Sequence, residues 1–154
     1  HILCEKEIQF VGLGSGDDQL AKQLHSLQER FPEQVGFEYG YSNALAHQIE
    51  AGADYFVMPS RFEPCGLNQM YSLRYGTIPI VNGVGGLVDT VRDVRNQQAT
   101  GFVLNRLSVQ ALTAAFKKAC DIHGSVKSFA ILKRGMKAEY GWGNSSNQYL
   151  KCYQ

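Results

Sequence analysis

Apolar positions along the chain follow two alternating rhythms. Short runs rich in β-branched and aromatic residues, at 8–13 (IQFVGL), 35–39, 53–58 (ADYFVM) and 78–81, have the length and composition of strands. The run at 53–58 reads as a buried strand that stops at Pro59. Between the runs the spacing becomes helical. Residues 17–29 put Leu20, Leu24 and Leu27 on one face, with two aspartates where a helix carries partial positive charge. A second helix is predicted from near Ser42, with Leu45, Ala46 and Ile49 facing inward. A third runs from about Asn68 to Tyr75 and is closed by Gly76. This alternation predicts a parallel, right-handed α/β sheet. After Gly101-Phe102-Val103 the pattern turns helical: Ser108 is placed to cap a helix to about Ile122, and Gly124 breaks it. Two further helices, near 126–140 and 142–153, complete one α/β domain with a helical C-terminal end.

Composition narrows the class. A chain of 154 residues with 44% apolar and 19% charged residues is ordinary globular protein of one-domain size. Fifteen Lys and Arg against fourteen Asp and Glu give +1, which argues against nucleic acid or an anionic membrane as a partner. No apolar run approaches the ~20 residues of a membrane-spanning helix. The four cysteines, Cys4, Cys65, Cys120 and Cys152, form no C-x-x-C pair and read as free thiols, and His25, His47 and His123 have no metal-ligand spacing. The chain begins without Met and without a signal-peptide pattern, so it reads as an internal piece or a processed form.

Ligands of open α/β sheets bind at the carboxyl ends of the strands, so the loops there are the candidates for chemistry. The first, Gly12-Leu13-Gly14-Ser15-Gly16-Asp17, approximates a dinucleotide fingerprint but has Asp17 where the third glycine belongs. A tight turn with Asp17 as helix cap is the preferred reading, since two carboxylates would repel a pyrophosphate. The second, residues 59–69 (PSRFEPCGLNQ), follows the 53–58 strand and ends with Gly66 at a helix start. Free N–H groups of Gly66, Leu67 and Asn68 would there hold a phosphate, with Glu63 beside an attached sugar. An Arg61–Glu63 surface pair is the plain alternative. The third, Asn82-Gly83-Val84-Gly85-Gly86, suits either a tight reversal or close approach of a ligand.

The second loop carries a resemblance. Ser60-Arg61-Phe62-Glu63-Pro64-Cys65-Gly66-Leu67 is similar to the donor-site motif of bacterial glycogen synthases and plant starch synthases. The likeness extends through Gly40-Tyr41, residues 51–54 (AGAD), Met58-Pro59, residues 74–81 (RYGTIPIV), Gly85-Gly86-Leu87 and Asp89-Thr90-Val91. It is strong over residues 8–103 and looser in the tail with Trp142 and Tyr149. The resemblance implies a Rossmann-like parallel sheet flanked by helices, the C-terminal half of a two-domain GT-B glycosyltransferase. It also implies retaining transfer of glucose from ADP-glucose to the non-reducing 4-OH of an α-1,4-glucan, with no cofactor and no metal.

By position, Tyr41 matches the aromatic that stacks on adenine and Glu63 the carboxylate at the donor glucose. Arg61, Cys65, Gly66, Leu67 and Asn68 belong to the phosphate and sugar site, and Gly85 and Gly86 to the loop near ribose and phosphates. Asn68 stands where many bacterial members have Thr. Related retaining families place a second Glu eight positions after the first, and here that residue is Tyr71. A double displacement through two carboxylates lacks its second member, which favours front-face transfer with the leaving phosphate taking the acceptor's proton.

The resemblance further implies that an Arg/Lys phosphate loop and an N-terminal acceptor domain belong to the complete enzyme and are absent from residues 1–154. The chain alone is then expected to be inactive and to bind ADP weakly. Two alternatives stay open: a stand-alone nucleotide-binding or scaffold module, and a UDP-glucose-using relative such as a sucrose synthase. The expected location is cytoplasmic for a bacterial protein and the plastid stroma for a plant one.

Overall fold

Parallel pairing organises every strand of the computed structural model, which describes residues 8–153. The expectation of parallel strands flanked by helices holds, but the strands divide between two sheets. The chain separates into two compact units at Ile49–Glu50.

In the first unit, β1 (Phe10–Gly14) pairs with β2 (Val35–Tyr39), in register from Phe10↔Val35 to Gly14↔Tyr39. The helix α1 (Asp18–Arg30) makes the crossover. Asp17 caps it as expected, its Oδ1 accepting from the N–H groups of Gln19 at 2.8 Å and Leu20 at 3.0 Å. The Phe37 ring meets His25 edge-on at 5.0 Å, and the Phe37 N–H donates to Gln28 Oε1 at 3.1 Å. One inward residue differs from expectation. Leu24 and Leu27 are half-buried, whereas Leu20 is 59% exposed, because a two-stranded sheet covers only part of the helical face. The helix α2 (Asn43–Gly52) follows, its first turn held by the Ser42 hydroxyl accepting from the Leu45 N–H at 3.2 Å.

The second unit has β3 (Tyr55–Met58), β4 (Ile78–Asn82) and β5 (Phe102–Leu104), in the order β3-β4-β5. The helix α3 (Asn68–Tyr75) connects β3 to β4, and α4 (Gly86–Thr90) follows β4. Three helices complete the unit: α5 (Val109–Ile122), α6 (Val126–Lys137) and α7 (Trp142–Cys152). Every residue of β4 is buried, and its period of two serves both faces of the sheet. Ile78 and Ile80 join Val94, Phe102, Ala119 and Ile131 in the main core, whereas Val81 packs with Leu87 of α4 and with Val91 just past its end. Pro79 is tolerated in this central strand. The Ile78 N–H faces β3 by donating to Asp54, so the Pro79 nitrogen faces β5, one residue before pairing starts at Ile80↔Phe102.

The buried strand expected at 53–58 is shorter and half-buried, since β3 is an edge strand with a neighbour on one side. Ser108 caps α5 and Gly76 closes α3 in the left-handed conformation, both as expected. The short helix α4 is not expected from the sequence pattern, whose glycines there predict only a loop. Cys65, Cys120 and Cys152 are free thiols, and Cys4 lies outside the described residues. Among the described residues no helix is long and apolar enough to cross a membrane.

Candidate functional site

The loop after β3 ends in an arrangement built for an anion. Gly66 has φ +76°, the left-handed region that a side chain disfavours, and Leu67 returns to right-handed φ −108°, ψ −35°. Successive residues of opposite hand turn their N–H groups to one side and form an anion-binding concavity. The helix α3 starts directly behind, and no side chain caps it. Its first-turn amides and the positive end of its dipole therefore add to the same concavity.

The return of the chain after β4 clamps this loop from below. The Asn82 side-chain amide donates to the Ser60 carbonyl at 2.8 Å, and the Gly86 N–H donates to the Glu63 carbonyl at 3.2 Å. Contact is so close that a Cβ on Gly85 would overlap the Glu63 carbonyl, and one on Gly86 would lie 2.8 Å from the Cys65 Cα. Gln69, wholly buried, joins the carbonyls of Cys65 and Gly66 to the Thr90 hydroxyl. Two loops that are well separated in sequence thus pack directly on each other at the carboxyl ends of β3 and β4.

Above these loops the exposed groups are those that could meet a ligand. Glu63 is half-buried, and the Ser60 hydroxyl lies 3.4 Å from its Oε2 and can donate to it. Arg61 is exposed, and among the described residues it forms no ion pair with Glu63, so the plain surface-pair alternative loses its support. Cys65, Leu67 and Asn68 are exposed, and Phe62 is 82% exposed.

Comparison with known proteins places this geometry in a family. Residues 2–133 match the family described as glycosyl transferases group 1. The chain belongs to the group 1 glycosyl transferases. It is 47% identical to the glycogen synthase of Thioalkalivibrio sulfidiphilus over 159 aligned residues, 99% of this chain and 33% of that protein. It is also 47% identical to the glycogen synthase of Marinobacter nauticus, over 99% of this chain and 32% of the other. The catalytic domain of starch synthase IV from Arabidopsis thaliana, solved bound to ADP and acarbose, superposes with a TM-score of 0.82 at 33% identity. That superposition covers 94% of this chain and 31% of that one. Sucrose-phosphate synthase from Thermosynechococcus elongatus shares the fold, with a TM-score of 0.69 at 22% identity. The chain spans about a third of the length of the curated relatives it matches.

In this group 1 glycosyl transferase the residues singled out by sequence divide between the units. Arg61, Glu63, Cys65, Gly66, Leu67, Asn68, Gly85 and Gly86 share the second unit's double loop. Tyr41 lies in the first unit, 86% exposed at the carboxyl end of β2. Tyr71, where a second carboxylate would stand, is an exposed residue of α3. Sequence reasoning missed the side chains that bolt the loops together, Gln69, Asn82 and Thr90. Gln69 had one readable signal: it shares a helical face with Ser72 and Leu73, three and four residues on, and all three are buried.

Proposed function

We propose that this chain is the nucleotide-sugar-binding part of an ADP-glucose-dependent α-glucan synthase. The observation that carries the reading is the uncapped start of α3 behind left-handed Gly66, set in a chain that aligns almost end to end with glycogen synthases. The amides of Gly66, Leu67 and Asn68 receive the diphosphate of the donor and stabilise the charge that grows on it as the glucosyl bond breaks. Glu63 orients the glucose.

Transfer is front-face. The bond from glucose C1 to the phosphate oxygen breaks, the bond from C1 to the acceptor's 4-oxygen forms on the same face, and the acceptor's proton passes to the departing phosphate. Tyr71 at the second-carboxylate position supports this route over a double displacement. The α-1,4-glucan acceptor and a basic phosphate loop belong to the rest of a complete synthase, a proposal supported by relatives about three times as long. The bacterial glycogen synthases among those relatives favour the bacterial cytoplasm as the location.

The test is transfer of labelled glucose to glycogen by the full-length protein containing these residues, with ADP-glucose and UDP-glucose side by side. ADP-glucose is expected to be the better donor, and the 154-residue chain alone to transfer nothing. Elongation by the isolated chain, or none by the full-length protein with either donor, would sink the reading.

A further inference from the structure

Gln69 is wholly buried, yet it stands in the first turn of α3, immediately behind the open amides. Its Nε2 lies 3.1 Å from the Cys65 carbonyl oxygen, 2.9 Å from that of Gly66 and 3.1 Å from the Thr90 hydroxyl. The Thr90 hydroxyl donates to the Gly86 carbonyl at 2.8 Å, so it meets Gln69 as an acceptor. Three acceptors thus share the two hydrogens of one amide nitrogen. Reversing the amide would set its oxygen against two carbonyl oxygens, a repulsive arrangement, so the donor end is fixed on the loop.

The other end of the amide shows what this grip costs. Gln69 Oε1 is buried without a hydrogen-bond partner among the described residues, and it rests on the bare face of Gly66, where a Cβ would sit. A side chain that served only to fill the core would avoid such an orphaned acceptor. What the residue gains is control of two peptide planes. A trans peptide carries its C=O and N–H on opposite sides. Drawing the Cys65 and Gly66 carbonyls inward onto Nε2 therefore turns the Gly66 and Leu67 N–H groups outward, toward the concavity.

We propose that Gln69 is a positioning residue that aims the amides receiving the donor's diphosphate, with Thr90 anchoring it to the second glycine loop. This role rests on the donor-binding reading above. It also predicts that Thr90, which holds Gln69 Nε2 from the second glycine loop, affects diphosphate binding through Gln69.

The test titrates the full-length protein with ADP and with adenosine, which has the base and ribose but no phosphate. Gln69→Met keeps the volume and removes the grip; it is expected to weaken ADP by about tenfold while adenosine binding stays unchanged. Gln69→Glu, whose carboxylate faces two carbonyls, weakens ADP further. Thr90→Val gives a smaller loss of the same selective kind, and Thr90→Ser restores it. Equal losses for ADP and adenosine, or no loss for either, would overturn the role, because a packing defect does not distinguish them.

A second readout needs no nucleotide. The amide resonances of Gly66 and Leu67 in the 154-residue chain are expected to move in Gln69→Met and to stay in place in Thr90→Ser. Unmoved resonances in Gln69→Met overturn the role. Wild-type protein that binds neither ADP nor adenosine overturns the donor reading instead, and the amide resonances still decide Gln69. If Gln69→Met does not fold, Thr90→Val decides in its place, with resonances that stay put counting against the role.

Discussion

The two glycine-rich loops that follow strands, residues 12–17 and 82–86, look alike in sequence and behave oppositely in the fold. A Cβ added at Gly14 would meet nothing within 4 Å, and the loop's chemistry is spent on itself, with Asp17 capping α1. At Gly85 and Gly86 the same addition runs into the backbone of Glu63 and Cys65. Glycine in the first loop serves a local turn, whereas in the second it lets one loop press flat against another. The difference teaches that a glycine pair after a strand can serve a neighbouring loop as well as a ligand. Here it is the footing on which the Glu63–Asn68 loop stands.

The comparison breaks first, and most visibly, at Gly86. Gly86→Ala is expected to destabilise the fold by about 1–3 kcal/mol, because backbone, not a flexible side chain, occupies the space. Diphosphate binding is expected to be lost with it, since the Gly86 N–H bond to Glu63 spans the two loops. Gly14→Ala should stay within ~0.5 kcal/mol of wild type. Urea unfolding of both variants, with ADP titration of the full-length protein, decides the matter. Equal costs at the two glycines would erase the distinction.

Glu63→Gln sharpens it, by sparing the backbone that Gly85 and Gly86 press on and changing only the carboxylate above. Under the proposed function, glucosyl transfer by the full-length protein is expected to fall about a hundredfold with stability unchanged, the scale of a misoriented reacting group. Near-normal turnover would remove Glu63 from the proposed donor site.

How much of this was readable in advance follows the same division. The strand Val35–Tyr39, the helix Asn68–Tyr75 and the caps at Asp17 and Ser108 came from local rules, periodicity, hydrogen-bonding side chains and glycine stops, which need no knowledge of what lies across the fold. The resemblance of residues 60–67 rests on an eight-residue motif, which needs no knowledge of the fold either. The bolts were not legible. Gln69 reaches Thr90 across 21 positions, and Asn82 reaches Ser60 across 22, so only tertiary structure brings them together. The short helix α4 was hidden for a related reason: its five residues gain their order from Leu87 packing on Val81 and Val91, a contact no local pattern announces.

A smaller effect tests the first loop. Asp17→Ala removes two hydrogen bonds to the first turn of α1 and is expected to cost about 1 kcal/mol, leaving ADP binding unchanged. A drop in ADP affinity without a drop in stability would make the 12–17 loop a ligand site after all.

The smallest effect concerns Asp93, on the stretch that carries the second loop's chain back toward β5. Burial alone would push its carboxyl up, but the Arg95 side chain and the N–H groups of Val103 and Arg95 bind its charged form and bring it below the ordinary value of 3.8. A carboxyl lowered in the folded state adds stability that is complete above its unfolded value and is lost as pH falls through the folded one. The second unit should therefore loosen below pH 3.8, and Asp93→Asn should flatten that part of the stability profile. The amount is small, because Arg95 is 60% exposed and water screens the pair. What matters is its place. The Val103 N–H that Asp93 holds at 2.8 Å belongs to β5, whose Leu104 carbonyl accepts from Gly83 at 3.0 Å, just ahead of the Gly85–Gly86 footing. Acid that releases Asp93 is then expected to weaken diphosphate binding in parallel with stability, and in Asp93→Asn the two curves should part from wild type together. Stability that falls below pH 3.8 while ADP affinity does not would show that the double loop keeps its shape without support from β5.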